Sequence, residues 1–362
     1  MSLVPRHIKL LQPYKAGRTI ESVKNEYNLD KIVKLASNEN PIGPSKKALK
    51  AIETKLDTIN RYPDSHGLIL RKKLAVKFNV QIENVILGAG SEGIMSSIMR
   101  TFLRTDDEMI SCENSFIGFR VLANASGRRV NWVPMKNFKY DLSAITEQIN
   151  EYTKIIYLAN PDNPTGTYFS IKEFDDFMNN VPERVLVILD EAYFEYSQAI
   201  NDYPDSMLYR YDNVITLRTF SKIYGLAGLR VGYGFAHQDL ISNLMKVKLP
   251  FEPSIPAQVA AIAAIDDKEH LNQSIRVNKL GMDILKKGLN QIGLNYIESI
   301  ANFVTIVFDS DKESRDCAYF LLKNGIVVRE LNSFGLFNCI RVTIGTENEN
   351  MLFLEQISKY KR

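Results

Sequence analysis

Val185-Leu186-Val187-Ile188-Leu189-Asp190-Glu191-Ala192-Tyr193 places five apolar residues in a row ahead of two acids. A short run without polar alternation reads as a strand buried on both faces, as in a parallel sheet covered by helices. Asp190 then stands at the end of that strand, where an unpaired carboxylate is costly and a cation should answer it. An arginine or a protonated ring nitrogen would serve. A helix N-cap or a structural ion pair is the other use of such a residue.

Similar apolar runs lie outward from this one, at 85–87, 108–112, 130–134, 155–159, 214–217 and 231–235. Helix-period stretches fall between several of them, at 92–103, 143–150 and 170–181, the last opening with a Ser-x-x-Glu capping box at Ser170 and Glu173. Buried strands alternating with helices predict the α/β class: a large, doubly wound, mostly parallel sheet. A proline-rich joint at 250–256 changes the pattern. Beyond it, helices are predicted at 258–265, 270–292 and 316–324, strands at 303–308, 325–329 and 340–344, and a charged closing helix from Glu347. The expected division is an N-terminal arm over 1–34, packing on the small domain or a partner subunit, a large domain over 35–250 and a smaller α+β domain over 251–362.

Composition narrows the class of function. The 362 residues are 45% hydrophobic and 24% charged, the balance of an ordinary globular protein. Forty-five basic against 42 acidic residues leave +3, too even to argue for nucleic acid or an anionic membrane. No uncharged run is long enough to span a bilayer, and the opening residues carry no apolar secretory segment. The 3 scattered cysteines lack any CxxC, and the 4 histidines lack metal-ligand spacing. The expectation is a cytoplasmic protein with no metal site.

Three further segments carry chemistry. Asn160-Pro161-Asp162-Asn163-Pro164-Thr165-Gly166 follows a strand and forms a rigid turn, which is either a plain loop or a mount for the Asn163 amide. Thr219-Phe220-Ser221-Lys222-Ile223-Tyr224-Gly225-Leu226-Ala227-Gly228-Leu229-Arg230 sets a lysine between hydroxyl residues on one side and glycines and an arginine on the other. An amine in an apolar pocket loses its proton more readily and can form a Schiff base. Thr219, Ser221 and Arg230 are donors suited to a phosphate. Gly88-Ala89-Gly90-Ser91-Glu92-Gly93 joins a strand to a helix, where free N–H groups can bind an anion or merely turn the chain.

Together these segments resemble the fold type I pyridoxal-phosphate aminotransferases. The terminal Ile340-Arg341-Val342-Thr343-Ile344-Gly345-Thr346 adds to that likeness, and Leu11-Gln12-Pro13-Tyr14, Leu35-Ala36-Ser37-Asn38-Glu39-Asn40-Pro41, Arg61-Tyr62-Pro63-Asp64 and Gly325-Ile326-Val327-Val328-Arg329 are most similar to the family's histidinol-phosphate branch. The resemblance implies that Lys222 carries pyridoxal phosphate and moves the substrate's Cα proton. It further implies that Asp190 pairs with the ring nitrogen, that Asn163 and Tyr193 bind the ring's 3-oxygen, and that Phe116 stacks on the ring. The phosphate would be held by Thr219, Ser221, Arg230 and the Gly90, Ser91 and Glu92 backbone, with Tyr62 reaching in from a second subunit of a homodimer. Arg341 would take the substrate α-carboxylate, while Arg329, Tyr14 and Asn38 complete the substrate site. Two positions depart from the family pattern: Phe116 stands where tyrosine is frequent, and Ser91-Glu92 where Asp-Glu is frequent.

The implied reaction is L-histidinol phosphate plus 2-oxoglutarate giving imidazole-acetol phosphate plus L-glutamate, in histidine biosynthesis. An aromatic amino acid aminotransferase, or a decarboxylase of a phosphorylated amino acid, is the alternative on the same cofactor. A non-enzymatic cofactor sensor is disfavoured by the presence of Lys222.

Overall fold

The computed structural model describes residues 3–13, 17–206 and 211–361. Seven strands form the large sheet, in the order Val85–Gly88, Gly232–Phe235, Val214–Thr219, Leu186–Asp190, Thr153–Ala159, Glu108–Cys112 and Arg129–Val133. All neighbours are parallel except Gly232–Phe235, which runs antiparallel to the strand on either side. The expected doubly wound, mostly parallel sheet is borne out, and the central strands are buried except at Lys154.

Each face of the sheet has its own cover. Gly90–Phe102 and Gln238–Val247 close one side over Ile86, Ile155, Ile188 and Ile215. Ile171–Met178 closes part of the other over Ile156, Val187 and Leu189. That helix starts where its capping box predicts, with the Ser170 Oγ accepting from the Glu173 N–H and the Glu173 carboxylate accepting from the Ser170 N–H.

A second sheet takes the order Arg329–Glu330, Cys339–Thr343, Phe303–Val307, Asn295–Ile297, and is antiparallel. Asp311–Lys323, Glu347–Lys361 and the distal half of Lys268–Ile292 pack on it through Cys317, Leu321, Phe353, Leu285 and Leu289. The predicted single strand over 325–329 is instead two short ones, Ile326–Val327 and Arg329–Glu330, which pair with different partners. Ile255–Asp266, past the proline joint, packs its alanines into the core shared with Lys46–Glu53 and Leu68–Phe78. The joint therefore stands one helix ahead of the place where one core gives way to the other, midway along Lys268–Ile292.

The first residues divide between the two bodies. Arg6–Leu10 lies on Ile117–Ala125, with the His7 ring against Gly127. Ile20–Tyr27 buries Val23 with Ala36 and Val327, and Val33–Lys34 pairs in parallel with Ile326–Val327. Residues 33–40 then cross from the small sheet to the large one. Leu35 N–H donates to Val327 O and the Thr343 N–H to Leu35 O, whereas the Asn40 amide donates to Ile223 O.

Candidate active site

Four strand ends and one helix start converge on a cavity of about 220 Å³. Ser91, Glu92, Phe116, Asn163, Asp190, Tyr193, Thr219, Ser221, Lys222 and Arg230 line it, all of them expected from the sequence. The place follows from topology, since in an open α/β sheet the carboxyl ends of the strands leave a crevice.

Asp190 ends its strand buried, with Oδ2 accepting from the Tyr157 hydroxyl at 2.9 Å and Oδ1 from the Ala192 N–H at 3.2 Å. Burial raises its pKa to about 7 against the pull of those two donors. Among the described residues no basic side chain forms an ion pair with it. A buried carboxylate that meets two hydrogen-bond donors but forms no ion pair fits a ligand that brings a positive charge to it.

Lys222 follows the Val214–Thr219 strand. Its Nζ donates to Ser37 O at 3.3 Å and lies 5.6 Å from the Tyr193 ring centre. Burial first, and then the Arg341 charge, lower its pKa to about 8, so roughly a tenth of the amine is unprotonated at pH 7. Burial pushes the Tyr193 hydroxyl up to about 12, and it accepts from the Asn38 amide at 2.8 Å.

At the other end of the cavity the donors suit a dianion. The Ser221 N–H donates to Thr219 Oγ1 at 3.1 Å, and Arg230 Nη1 donates to Ser221 Oγ at 3.3 Å. The Gly90–Phe102 helix points its amino end here. Gly90 has φ +73°, and a Cβ on it would stand 2.6 Å from Arg230 Nη2. On Gly232 a Cβ would fall 2.5 Å from the Ser91 nitrogen. Only glycine lets the helix start, Arg230 and the antiparallel strand meet so closely. Glu92 holds Arg230 Nη2 at 3.3 Å. Phosphate donors at one end, an amine in the middle and a carboxylate lacking a cation together fit pyridoxal phosphate.

Other expected residues stand off the cavity wall. Arg341 is buried one step behind it, donating to the Asn163 side-chain oxygen and, at 2.9 Å, to Ala36 O. This turns the Asn163 NH2 away from Arg341 and leaves it free to donate. Asn38 reaches the site through Tyr193 and also receives Thr343 Oγ1 at 3.2 Å. Arg329 sits directly across from Arg341 in the antiparallel pair, but lines a separate cavity with Leu10, Gln12, Pro13 and Arg120. Tyr62 lies away from the cavity, 79% exposed and stacked on Phe251 at 4.3 Å. Tyr14 lies outside the described residues.

Two participants escape the sequence reading. Tyr157 is the hydroxyl donor to Asp190, and Asp162 braces the 160–167 turn by accepting from Ser115 Oγ at 2.6 Å and Thr165 Oγ1 at 2.9 Å. A tyrosine inside an aliphatic strand was the available signal for the first, because its buried hydroxyl needs a partner. For Asp162 there was none beyond its place in the turn.

A family model for class I and II aminotransferases matches residues 30–357. Histidinol-phosphate aminotransferase 2 of Pseudomonas fluorescens is 40% identical over 99% of this chain and 97% of its own. The histidinol-phosphate aminotransferase of Moorella thermoacetica is 41% identical over 96% of this chain and 90% of its own. Among solved structures, histidinol-phosphate aminotransferase from Sinorhizobium meliloti, in complex with pyridoxal-5'-phosphate, superimposes with TM-score 0.92 at 26% identity, covering 100% of this chain and 98% of that one.

Proposed function

Because the chain belongs to the class I and II aminotransferase family, we propose that it is a pyridoxal-phosphate-dependent aminotransferase that interconverts histidinol phosphate and imidazole-acetol phosphate, with glutamate and 2-oxoglutarate as the other pair. The observation that carries the chemistry is Lys222, an amine lowered to about 8 in the same cavity as the cation-seeking Asp190. Relatives near 40% identity over almost the whole chain support the substrate.

When bound, pyridoxal phosphate supplies an electron-withdrawing ring that stabilises negative charge at the substrate Cα. Lys222 would hold the cofactor covalently and would take and return the substrate Cα proton. Asp190, oriented by Tyr157, would pair with the ring nitrogen. Tyr193 and the Asn163 amide would hydrogen-bond the ring's 3-oxygen, and Phe116 would lie against the ring. Thr219, Ser221, Arg230 and the amino end of the Gly90–Phe102 helix hold the phosphate. Arg341, its fork fixed by Asn163 and Ala36 O, takes an α-carboxylate in two parallel bonds.

Arg329 serves the distal, phosphorylated end of the substrate from the neighbouring cavity. The protein works as a homodimer in which each Tyr62 completes the partner's phosphate site; its ring is exposed within the single chain and does not line the chain's own cavity. A cytoplasmic location is supported by three cysteines that are all free and buried. Among the described residues no helix is long and apolar enough to cross a membrane.

The test is amino-donor specificity. Purified enzyme should convert histidinol phosphate far faster than phenylalanine or tyrosine. The Arg329→Leu variant should lose roughly 2–4 kcal/mol of transition-state stabilisation on the phosphorylated donor and much less on the aromatic ones. Strong activity on aromatic amino acids with none on histidinol phosphate would transfer the assignment to an aromatic aminotransferase.

A further inference from the structure

Behind the cavity, on the opposite face of the same two strands, lies a charged pair that the chemistry above does not use. Arg218 precedes Thr219, and Glu191 follows Asp190. Side chains alternate along a strand, so when Asp190 and Thr219 face the cavity their neighbours face away from it. Arg218 and Glu191 are both fully buried. Arg218 Nε donates to Glu191 Oε2 at 2.8 Å, and its Nη2 lies 2.7 Å from the same oxygen and 2.9 Å from Asp205 Oδ1. The guanidinium lies over Phe194, 3.4 Å from the ring centre. Glu191 Oε1 accepts from the Ser206 N–H at 3.2 Å. The pair thus ties together the ends of the two strands, where the Glu191 N–H also donates to Leu217 O.

Stability alone does not account for this arrangement. Desolvating two charges is costly, and apolar residues of similar volume often serve a core as well or better. Arg218 Nη1 also finds no hydrogen-bond partner among the described residues, which adds to the cost. What the pair does provide is a fixed distance between two strand ends, one carrying a residue for each end of the bound cofactor.

We propose that Arg218 and Glu191 are a positioning pair that holds Asp190 and Thr219 at the spacing a single pyridoxal phosphate requires. This rests on the cofactor reading above but not on the choice of amino donor. Neither residue touches the ligand; both act through the strand ends. The planar fork matters, because a single ammonium cannot bridge Glu191 and Asp205 in the same geometry.

The test compares Arg218→Met/Glu191→Leu, which replaces the pair by apolar volume, with Arg218→Lys and with the wild type. Three quantities are read: the melting temperature of the cofactor-free protein, its dissociation constant for pyridoxal phosphate from quenching of intrinsic fluorescence, and kcat and KM for glutamate. The double variant should melt near the wild type, bind the cofactor about 10- to 100-fold more weakly, and lose a similar factor in saturated kcat while KM changes little. Arg218→Lys should recover part of both losses. Wild-type affinity and kcat in the double variant would overturn the proposal. If the double variant does not fold, Arg218→Lys decides. A folded Lys variant with weakened cofactor binding and unchanged KM supports positioning, and one with wild-type binding and kcat overturns it. A failure to use histidinol phosphate would remove the substrate assignment and leave these readings intact, whereas failure of the wild type to bind pyridoxal phosphate would remove the cofactor reading first.

Discussion

Asp190 and Lys222 are each displaced toward neutrality by burial, one upward to about 7 and the other downward to about 8. For Asp190 the folded, cofactor-free protein binds a proton that the unfolded chain has already released across the window from its ordinary value to about 7. Stability of the cofactor-free protein should therefore fall as pH rises through that window. Asp190→Asn removes the dependence, so wild type should lose up to about 4 kcal/mol relative to the variant between acid and pH 8, measured by chemical denaturation. Equal slopes for the two proteins would mean that Asp190 is ionised without a cationic partner. In the loaded enzyme the same substitution should cost roughly 3–5 kcal/mol in turnover, because a buried charge has lost its counterpart. Lys222→Ala should abolish turnover, and borohydride followed by peptide mass mapping should fix the cofactor of the wild type at residue 222 and nowhere else. Lys222 and Asp190 were legible in the sequence because each broke a local rule, a cation amid glycines and an acid closing an apolar strand. Tyr157 was not, since only the fold brings its hydroxyl to a carboxylate 33 residues away.

Elements were most legible where local chemistry and burial agree. The Ile171–Met178 helix was announced by its capping box and by Phe174, Phe177 and Met178 on one face. Ser170→Ala should destabilise the protein by about 1 kcal/mol with kcat unchanged, read as a shift in denaturation midpoint beside a normal assay. A change in kcat would show that this helix, remote from the cavity, is coupled to it. Agreement failed around 325–330, where one short run, three apolar residues between a glycine and an arginine, holds parts of two strands. Gly325 at φ +78° turns the chain into pairing with Val33–Lys34, and two residues later the partner becomes Cys339–Thr343. Such a switch depends on partners nearly 300 positions apart in the chain, which no local pattern encodes. The strand at 303–307 and its neighbour at 339–343 posed no such problem, since they pair with each other over their whole length.

At the scale of the whole molecule, Tyr62 and Phe251 form an aromatic stack that stays partly in water, with Leu56, Ile59, Leu249 and Ile69 also exposed. The proposed homodimer would cover these side chains. A Tyr62→Ala protein mixed with a Lys222→Ala protein should regain activity as subunits exchange, since one of the two sites in each hybrid then has both groups. Activity that never exceeds the sum of the parents would place Tyr62 outside the site, and sedimentation at several concentrations would report the dimer independently. The division into a large and a small sheet was legible from the change of pattern at the proline joint. The position of Arg329 in a cavity apart from Lys222 was not, because Arg329 stands directly across from Arg341 in the strand pair and only the packing of Leu10, Gln12 and Pro13 from the start of the fold gives it a separate cavity.

Residues 33–40 bear on how the protein is made. Leu35 sits in the core of the small sheet and exchanges backbone bonds with Val327 and Thr343. These partners leave the ribosome roughly 300 residues after it, a delay of about 15 to 60 s at ordinary rates of synthesis. Throughout that time Leu35 waits without its sheet. The nascent large sheet can close early, but the segment that crosses to the small one is made long before its partners and is seated only when they arrive.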